Sequence, residues 1–301
     1  MKMSGSLTNV SPRKVGSFEV GPLAYGLWRF SDSNVASGQE RIEAALEHGM
    51  NLIDVADIYG FDGAVGFGAV EERLGRVLAS APTLRDRMVL ATKGGIMPPL
   101  PYDSSDVYLR KACEDSLRRL GVETIDLYQI HRPDMFTHPA EIASALVSLR
   151  DAGKIREVGV SNYTPAQVSA LAAHLPFPIA SHQPEFSVVH LAPLRDGTLD
   201  QCMEYGIAPL AWSPLGGGRI PRGIEVPEAL LSTLDALAER ESVDRAAVAL
   251  AFVLAHPSNP VVIIGTQTVG RIEEATRATR VQLDRRDVYD LIQASEGVPL
   301  P

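Results

Sequence analysis

Cysteine is scarce in this chain: Cys113 and Cys202 are the only two among 301 residues, and no CxxC occurs. Two isolated thiols argue against a disulfide scaffold and fit a reducing compartment. Long apolar runs are missing as well. No stretch reaches the roughly 18 apolar residues of a membrane-crossing helix. The start, MKMSGSLTNV, has no apolar signal-peptide core. Positive charge is in deficit: 28 Lys and Arg stand against 37 Asp and Glu, a formal net charge of -9, with no basic block. A nucleic-acid partner is therefore not expected, and the acidity mainly favours solubility. Low-complexity segments and Pro/Ser-rich linkers are absent, and no GxGxxG follows the first apolar run, so no Rossmann dinucleotide site is indicated. No metal site is expected either. These absences leave a soluble, cytoplasmic protein as the expectation.

What is present is periodic. Hydrophobic residues make up 45% and charged residues 22%, ample for a large core. Eight short apolar runs recur, at 22–28, 51–56, 88–93, 125–131, 155–162, 179–183, 207–213 and 261–266. Each is too short for a helix and is bounded by Gly, Pro or polar residues. Amphipathic stretches lie between them. Residues 37–49 open on Ser37 and close on Gly49, and 105–121 space their apolar residues near 3.6. Residues 164–175 open on Thr164-Pro165, a favourable helix start. Further helices are expected over 139–154, 227–241, 244–256 and 269–279. Eight strands alternating with helices imply parallel pairing and right-handed crossovers. The count of eight favours a single closed (β/α)8 TIM barrel over an open sheet. The whole of 1–301 reads as one domain. Its barrel core spans about 20–280, behind a lead-in over residues 1–20 that forms a short plug or hairpin.

Barrel enzymes gather their chemistry at the C-terminal ends of the strands. Here those ends carry Trp28, Asp54 with Tyr59, Lys93, His131, Ser161-Asn162, Gln183, Trp212-Ser213 and Gly265-Thr266. Taken singly, each has a plain structural reading: a loop cap, a packing ring, a solvated ammonium. Taken together, a carboxylate, a phenol, an ammonium and an imidazole converge on one mouth.

The blocks NLIDVADIYG, ATKGG, YQIHRPD, REVGVSNYTPAQ, SHQPEFS, LAWSPLGGG and IIGTQTVGRIEEA, in that order, resemble the aldo-keto reductase superfamily over about residues 20–280, most of all its bacterial oxidoreductases. The resemblance implies a catalytic tetrad of Asp54, Tyr59, Lys93 and His131. A free phenol, with a pKa near 10, is a weak acid at neutral pH, and a nearby ammonium lowers that pKa. Lys93 can supply the charge and Asp54 can hold Lys93 in place. His131 can bond the substrate oxygen or relay a proton. Asp57 has no such role and reads as a solvated or loop-capping residue.

Carbonyl reduction also needs a hydride donor, which proteins take from a cofactor. The resemblance implies that Ser161, Asn162 and Gln183 meet a nicotinamide carboxamide and that Trp212 stacks on its ring. Ser213, Leu215, Gly216 and Gly217, in SPLGGG (213–218), let backbone N–H groups approach a pyrophosphate. Beyond the eighth strand, Gly265, Gln267, Arg271 and Glu274 fall on the adenosine side. Gln267 stands where a lysine often meets a 2′-phosphate, whereas Arg271 suits that phosphate or adenine stacking. NADP is favoured and NAD stays open. Trp28, also a candidate cofactor-binding residue, Trp212 and Phe61 are candidate pocket walls. The expected partner is a small carbonyl or alcohol, and a monomer suffices. Alternatives are an NAD-dependent sugar or pyridoxal dehydrogenase, an NADP(H)-binding regulatory subunit, and a barrel that binds nucleotide alone.

Overall fold

Eight parallel strands hydrogen-bond edge to edge and close on themselves in a computed structural model that describes residues 5–30 and 34–300. Ahead of them, β1 (Arg13–Val15) and β2 (Phe18–Val20) form an antiparallel hairpin. Residues 1–4 of the expected lead-in lie outside the described residues. The barrel strands are β3 (Leu23–Gly26), β4 (Leu52–Asp54), β5 (Val89–Gly94), β6 (Ile125–Ile130), β7 (Ile155–Ser161), β8 (Ser181–Gln183), β9 (Ala208–Ala211) and β10 (Val261–Ile264). They follow chain order around the ring, and β10 pairs with both β9 and β3 to complete it.

The helices are α1 (Val35–Glu47), α2 (Ala69–Ser80), α3 (Asp106–Leu120), α4 (Pro139–Asp151), α5 (Pro165–Ala172), α6 (Thr198–Tyr205), α7 (Arg219–Arg222), α8 (Glu228–Glu241), α9 (Arg245–Leu254), α10 (Val269–Ala275) and α11 (Arg285–Glu296). Local sequence explains several of their ends. Ser105 caps α3 by accepting from the Tyr108 N–H, and Gly121 closes it at φ 67°. Thr164 and Gln167 form a reciprocal capping box at the start of α5. Helix α1 begins two residues before Ser37, because Asn34 is the cap and accepts from the Ser37 N–H. Helix α2 starts behind Gly68 with no side-chain cap, so the sequence offers little to mark its first residue. No helix among the described residues is long and apolar enough to cross a membrane.

Two apolar cores result. The larger lies between the strands and the helix ring, and the smaller fills the barrel lumen. Side chains alternate along a strand. The lumen core therefore takes Leu52 but not Ile53 from β4, and Val89 and Ala91 but not Leu90 from β5. Val15 and Val20 of the hairpin belong to this lumen core and close its floor. The chain beyond the eighth strand is not a loose tail: α11 packs against α8, and Leu291 is fully buried.

Candidate active site

The alternation that fills the lumen with small apolar residues continues upward into polar ones. Asp54 follows Leu52, Lys93 follows Ala91 and Gln129 follows Leu127 on the same strand faces. The top of the lumen is consequently a hydrogen-bonded polar layer. Lys93 Nζ donates to Asp54 Oδ2 at 2.7 Å and to the Val55 carbonyl at 3.0 Å, and it lies 3.1 Å from Tyr59 Oη. Asp54 Oδ1 accepts from Gln129 Nε2 at 3.2 Å and from Gln183 Nε2 at 3.0 Å. Lys93 is 0% exposed and Asp54 2%, so the pair is a buried one whose polar atoms are satisfied. The Tyr59 and His131 rings meet edge to face, with centroids 5.8 Å apart.

Burial and charge set the protonation states. Burial pushes the Tyr59 phenol above its ordinary value, and Lys93 pulls it back without cancelling the rise. From sequence, the ammonium is expected to leave the phenol below that value; the desolvation of a half-buried ring reverses the sign. At Lys93, burial works against the charge, but Asp54 and Tyr59 outweigh it and the ammonium is held more firmly than usual. His131 is pushed well below the ordinary imidazole range by burial first, then by Lys93 and Arg132. At neutral pH the cluster is therefore a protonated phenol on a charged ammonium, beside a neutral imidazole whose Nδ1 has no partner among the described residues.

The expected cofactor residues ring the same mouth, with several engagements that the sequence does not announce. Ser161 Oγ donates to the Gln183 carbonyl at 2.9 Å and accepts from Asn162 Nδ2 at 2.7 Å. Trp212 Nε1 donates to Asn162 Oδ1 at 3.0 Å. The Gln183 amide nitrogen is committed to Asp54 and Gln129 rather than left open for a carboxamide. Asn162 and Ser213 hold φ of 58° and 50°, left-handed conformations that non-glycine residues adopt at a cost. Gly216 and Gly217 hold positive φ too, and a Cβ at Gly217 would meet nothing within 4 Å, so the backbone there is open to close approach. Leu215 is half-buried beneath this loop. Gln267 is turned toward the Tyr25 hydroxyl and the Thr266 carbonyl, at 3.4 and 3.3 Å. Arg271 and Glu274 are exposed on α10.

Two further expectations need correction. Trp28 is not at a strand end: β3 stops at Gly26, and Trp28 stands in the following turn, 61% exposed with the Arg29 guanidinium 5.1 Å from its ring centre. Asp57 is not solvated or capping a loop; it is 0% exposed. Two arginines went unremarked in the sequence. Arg29 reaches the Gly217 carbonyl at 3.4 Å and stands near Gly265, spanning the glycine loop. Arg132, the residue after His131, lies 5.7 Å from the Trp212 ring centre with no carboxylate partner among the described residues. The HRPD block held the signal for Arg132, which stands two residues past the end of β6, directly after His131.

A closed parallel barrel with a buried ammonium–carboxylate pair, a phenol and a neutral imidazole gathered at the C-terminal ends of its strands has the architecture of a (β/α)8 barrel protein with its ionisable groups at the mouth. The chain itself is a member of the aldo/keto reductase family, whose model matches residues 22–296. It is 47% identical over 285 residues to a 6-dehydroglucose reductase of Novosphingobium aromaticivorans, covering 94% of each chain. It is 36% identical to the oxidoreductase YdhF of Escherichia coli, covering 94% of this chain and 96% of that one. The crystal structure of the thermostable aldo-keto reductase Tm1743 in complex with the inhibitor epalrestat superposes with a TM-score of 0.82 at 25% identity, covering 94% of this chain and 99% of that one. The chain is accordingly an oxidoreductase that interconverts carbonyl and alcohol with a nicotinamide cofactor.

Proposed function

We propose that this chain is an NADP-dependent reductase of hydroxylated aldehydes, with Tyr59 as the general acid. The observation that carries the reading is the contact of the Tyr59 phenol with Lys93 Nζ at 3.1 Å, at the open end of a lumen sealed below. A carbonyl oxygen seated between Tyr59 and His131 would receive the phenol's proton while the neutral imidazole donates its N–H hydrogen bond to it. Lys93 stabilises the tyrosinate left behind, and Asp54 fixes the ammonium. A reduced nicotinamide, when bound, supplies the hydride.

The residues present fit such a cofactor. Ser161 and Asn162 offer a hydroxyl and an amide at one end of the mouth. The glycine loop at 216–217 offers open backbone, and Arg29 and Arg271 offer guanidinium groups for phosphates. The 2′-phosphate assignment rests on Arg271, because Gln267 is turned inward and Arg271 is exposed on α10. The substrate class follows the 6-dehydroglucose reductases of Novosphingobium aromaticivorans and Agrobacterium fabrum and the L-glyceraldehyde 3-phosphate reductase of Escherichia coli among the relatives. Arg132, uncommitted beside Tyr59 and His131, suits the hydroxyl or anionic groups of such a molecule. All these groups come from one barrel, so a monomer suffices, and the two unpaired, buried cysteines fit a reducing compartment such as the cytoplasm.

Fluorescence titration with NADPH and NADH, followed by turnover of glyceraldehyde and six-carbon sugar aldehydes, tests the reading. NADPH should bind more tightly, and Arg271→Ala should weaken NADPH by roughly tenfold to a hundredfold while sparing NADH. Equal or reversed affinities overturn the NADP assignment. Cofactor binding without turnover of any aldehyde overturns the enzyme in favour of a nucleotide-binding regulatory subunit.

A further inference from the structure

Behind the mouth, on the outer side of β5, a second polar cluster is enclosed between strand and helices. Glu71, on the first turn of α2, is 0% exposed. Its Oε1 accepts from Thr92 Oγ1 at 2.5 Å, and its Oε2 accepts from Arg119 Nε at 2.7 Å. Helices α2 and α3 approach closely here: a Cβ at Gly75 would lie 2.1 Å from the Arg119 carbonyl. Asp57 faces this cluster, wholly buried, with neither carboxylate oxygen in a hydrogen bond among the described residues.

A charge count exposes the difficulty. Arg119 is already engaged by Glu71, and Lys93 is engaged by Asp54. An ionised Asp57 would be a second carboxylate in a dry interior with no counter-charge of its own, an arrangement that costs far more than holding a proton. The other ionisable groups facing it do not help: Tyr108 of α3 and Tyr128 of β6 are neutral phenols, and the Tyr128 hydroxyl is itself without a partner. Burial, and then Glu71, push the Asp57 carboxyl well above the ordinary range, against the weaker pull of Arg119, the neighbouring Ile58 backbone N–H and Lys93.

The backbone of Asp57 connects this cluster to the mouth. Its N–H donates to the Lys93 carbonyl at 3.1 Å, and its own carbonyl accepts from Gly68 N–H at 2.6 Å. Two residues later, the Tyr59 carbonyl accepts from the Val70 N–H at 3.3 Å. Asp57 is thus the joint between the strand that carries Lys93 and the loop that carries Tyr59.

We propose that Asp57 is a positioning residue, a neutral carboxylic acid whose burial against Glu71 and Arg119 fixes the distance between Tyr59 and Lys93. The proposal rests on Tyr59 acting as the acid, but half of its test does not. The first arm is stability. Because the folded-state pKa is raised, wild type holds its full stability only below the unfolded carboxyl's pKa and loses it as pH rises toward the folded value. Asp57→Asn is neutral at every pH, so its melting temperature should gain on wild type steadily between pH 4 and pH 8. A difference that stays constant over that range overturns the neutral-acid assignment, whatever the enzyme's activity. The second arm is kinetic. Asp57→Ala should lower kcat by roughly tenfold or more, with the KM for aldehyde and the NADPH affinity within about twofold of wild type, and Asp57→Asn should restore most of that kcat. Parental kcat in Asp57→Ala overturns the positioning role. If Asp57→Ala does not fold, the comparison passes to Asp57→Ser. Absence of turnover in wild type, with the stability arm intact, would indict the functional reading and not the buried acid.

Discussion

Replacing Lys93 by Met removes one charge and keeps a chain of similar length. Its cost can be worked from the contacts. Lys93 is 0% exposed and donates to Asp54, the Val55 carbonyl and Tyr59. Without it, the Asp54 carboxyl group loses its counter-charge in a site 2% exposed, with only the Gln129 and Gln183 amides left as partners. Breaking one side of a buried ion pair costs about 3–5 kcal/mol, because the surviving charge has no compensation. Asp54→Asn should cost less, since the amide keeps the carboxylate's shape and the ammonium keeps two acceptors. The decisive construction is the double variant Lys93→Met/Asp54→Asn. It buries neither charge, so its loss should fall short of the sum of the single losses by at least about 1 kcal/mol. Urea denaturation at pH 7 on all four proteins gives these values, and NADPH titration checks that the mouth is intact. On the kinetic side, Lys93→Met should lower aldehyde reduction by ~10²-fold or more, as the phenol loses the charge that favours its anion. A Lys93→Met variant within about 1 kcal/mol of wild type, or strict additivity in the double variant, would refute the buried pair as the element that holds this site.

Three further outcomes are expected. Tyr59→Phe keeps the ring and removes the proton, so NADPH binding should survive while reduction falls by ~10²–10⁴-fold; near-parental turnover would make the phenol a packing group. Gly94→Ala would place a Cβ 2.1 Å from the fully buried Tyr128 hydroxyl and should destabilise by about 1–3 kcal/mol. Tyr128→Phe, which deletes an oxygen without a partner, should relieve that cost, and no rescue in the double variant would count against the clash. His182, 1% exposed with neither ring nitrogen bonded, is lowered by burial to about 4 from 6.5. Above 6.5 the imidazole is neutral folded or unfolded. As pH falls from there toward 4, the unfolded chain takes a proton that the folded one refuses, and stability should drop by about 3 kcal/mol. His182→Leu should flatten that part of the pH–stability curve, and an unchanged slope would show that another group is responsible.

The barrel was legible because its signals are local and repeated. Short apolar runs bounded by Gly or Pro mark the strands, and caps such as Ser105 and Thr164 mark helices α3 and α5. Helix α11 carried an equally local signal, Asp284 with Asp287 in a capping box, beyond the stretch where the family resemblance was traced. The positions of Asp54, Lys93 and His131 at strand ends were also readable, because a barrel converts strand ends into one mouth. Asp57 was not. An acid two residues before Tyr59 looks like any loop acid until α2 and α3 close over it, and that closure depends on Glu71 and Arg119, 14 and 62 residues further on. The sign of the shift at Tyr59 was unreadable for the same reason, since the ammonium's pull is visible in sequence and the depth of burial is not.

Val15 and Val20 seal the floor of the barrel, and that seal has a kinetic meaning. Under the proposed function, cofactor, substrate, product and protons all share one doorway. Two ligands that share a doorway do not exchange independently: the one seated deeper enters first and leaves last. A compulsory order of addition is therefore expected from the architecture alone, with no moving gate to enforce it.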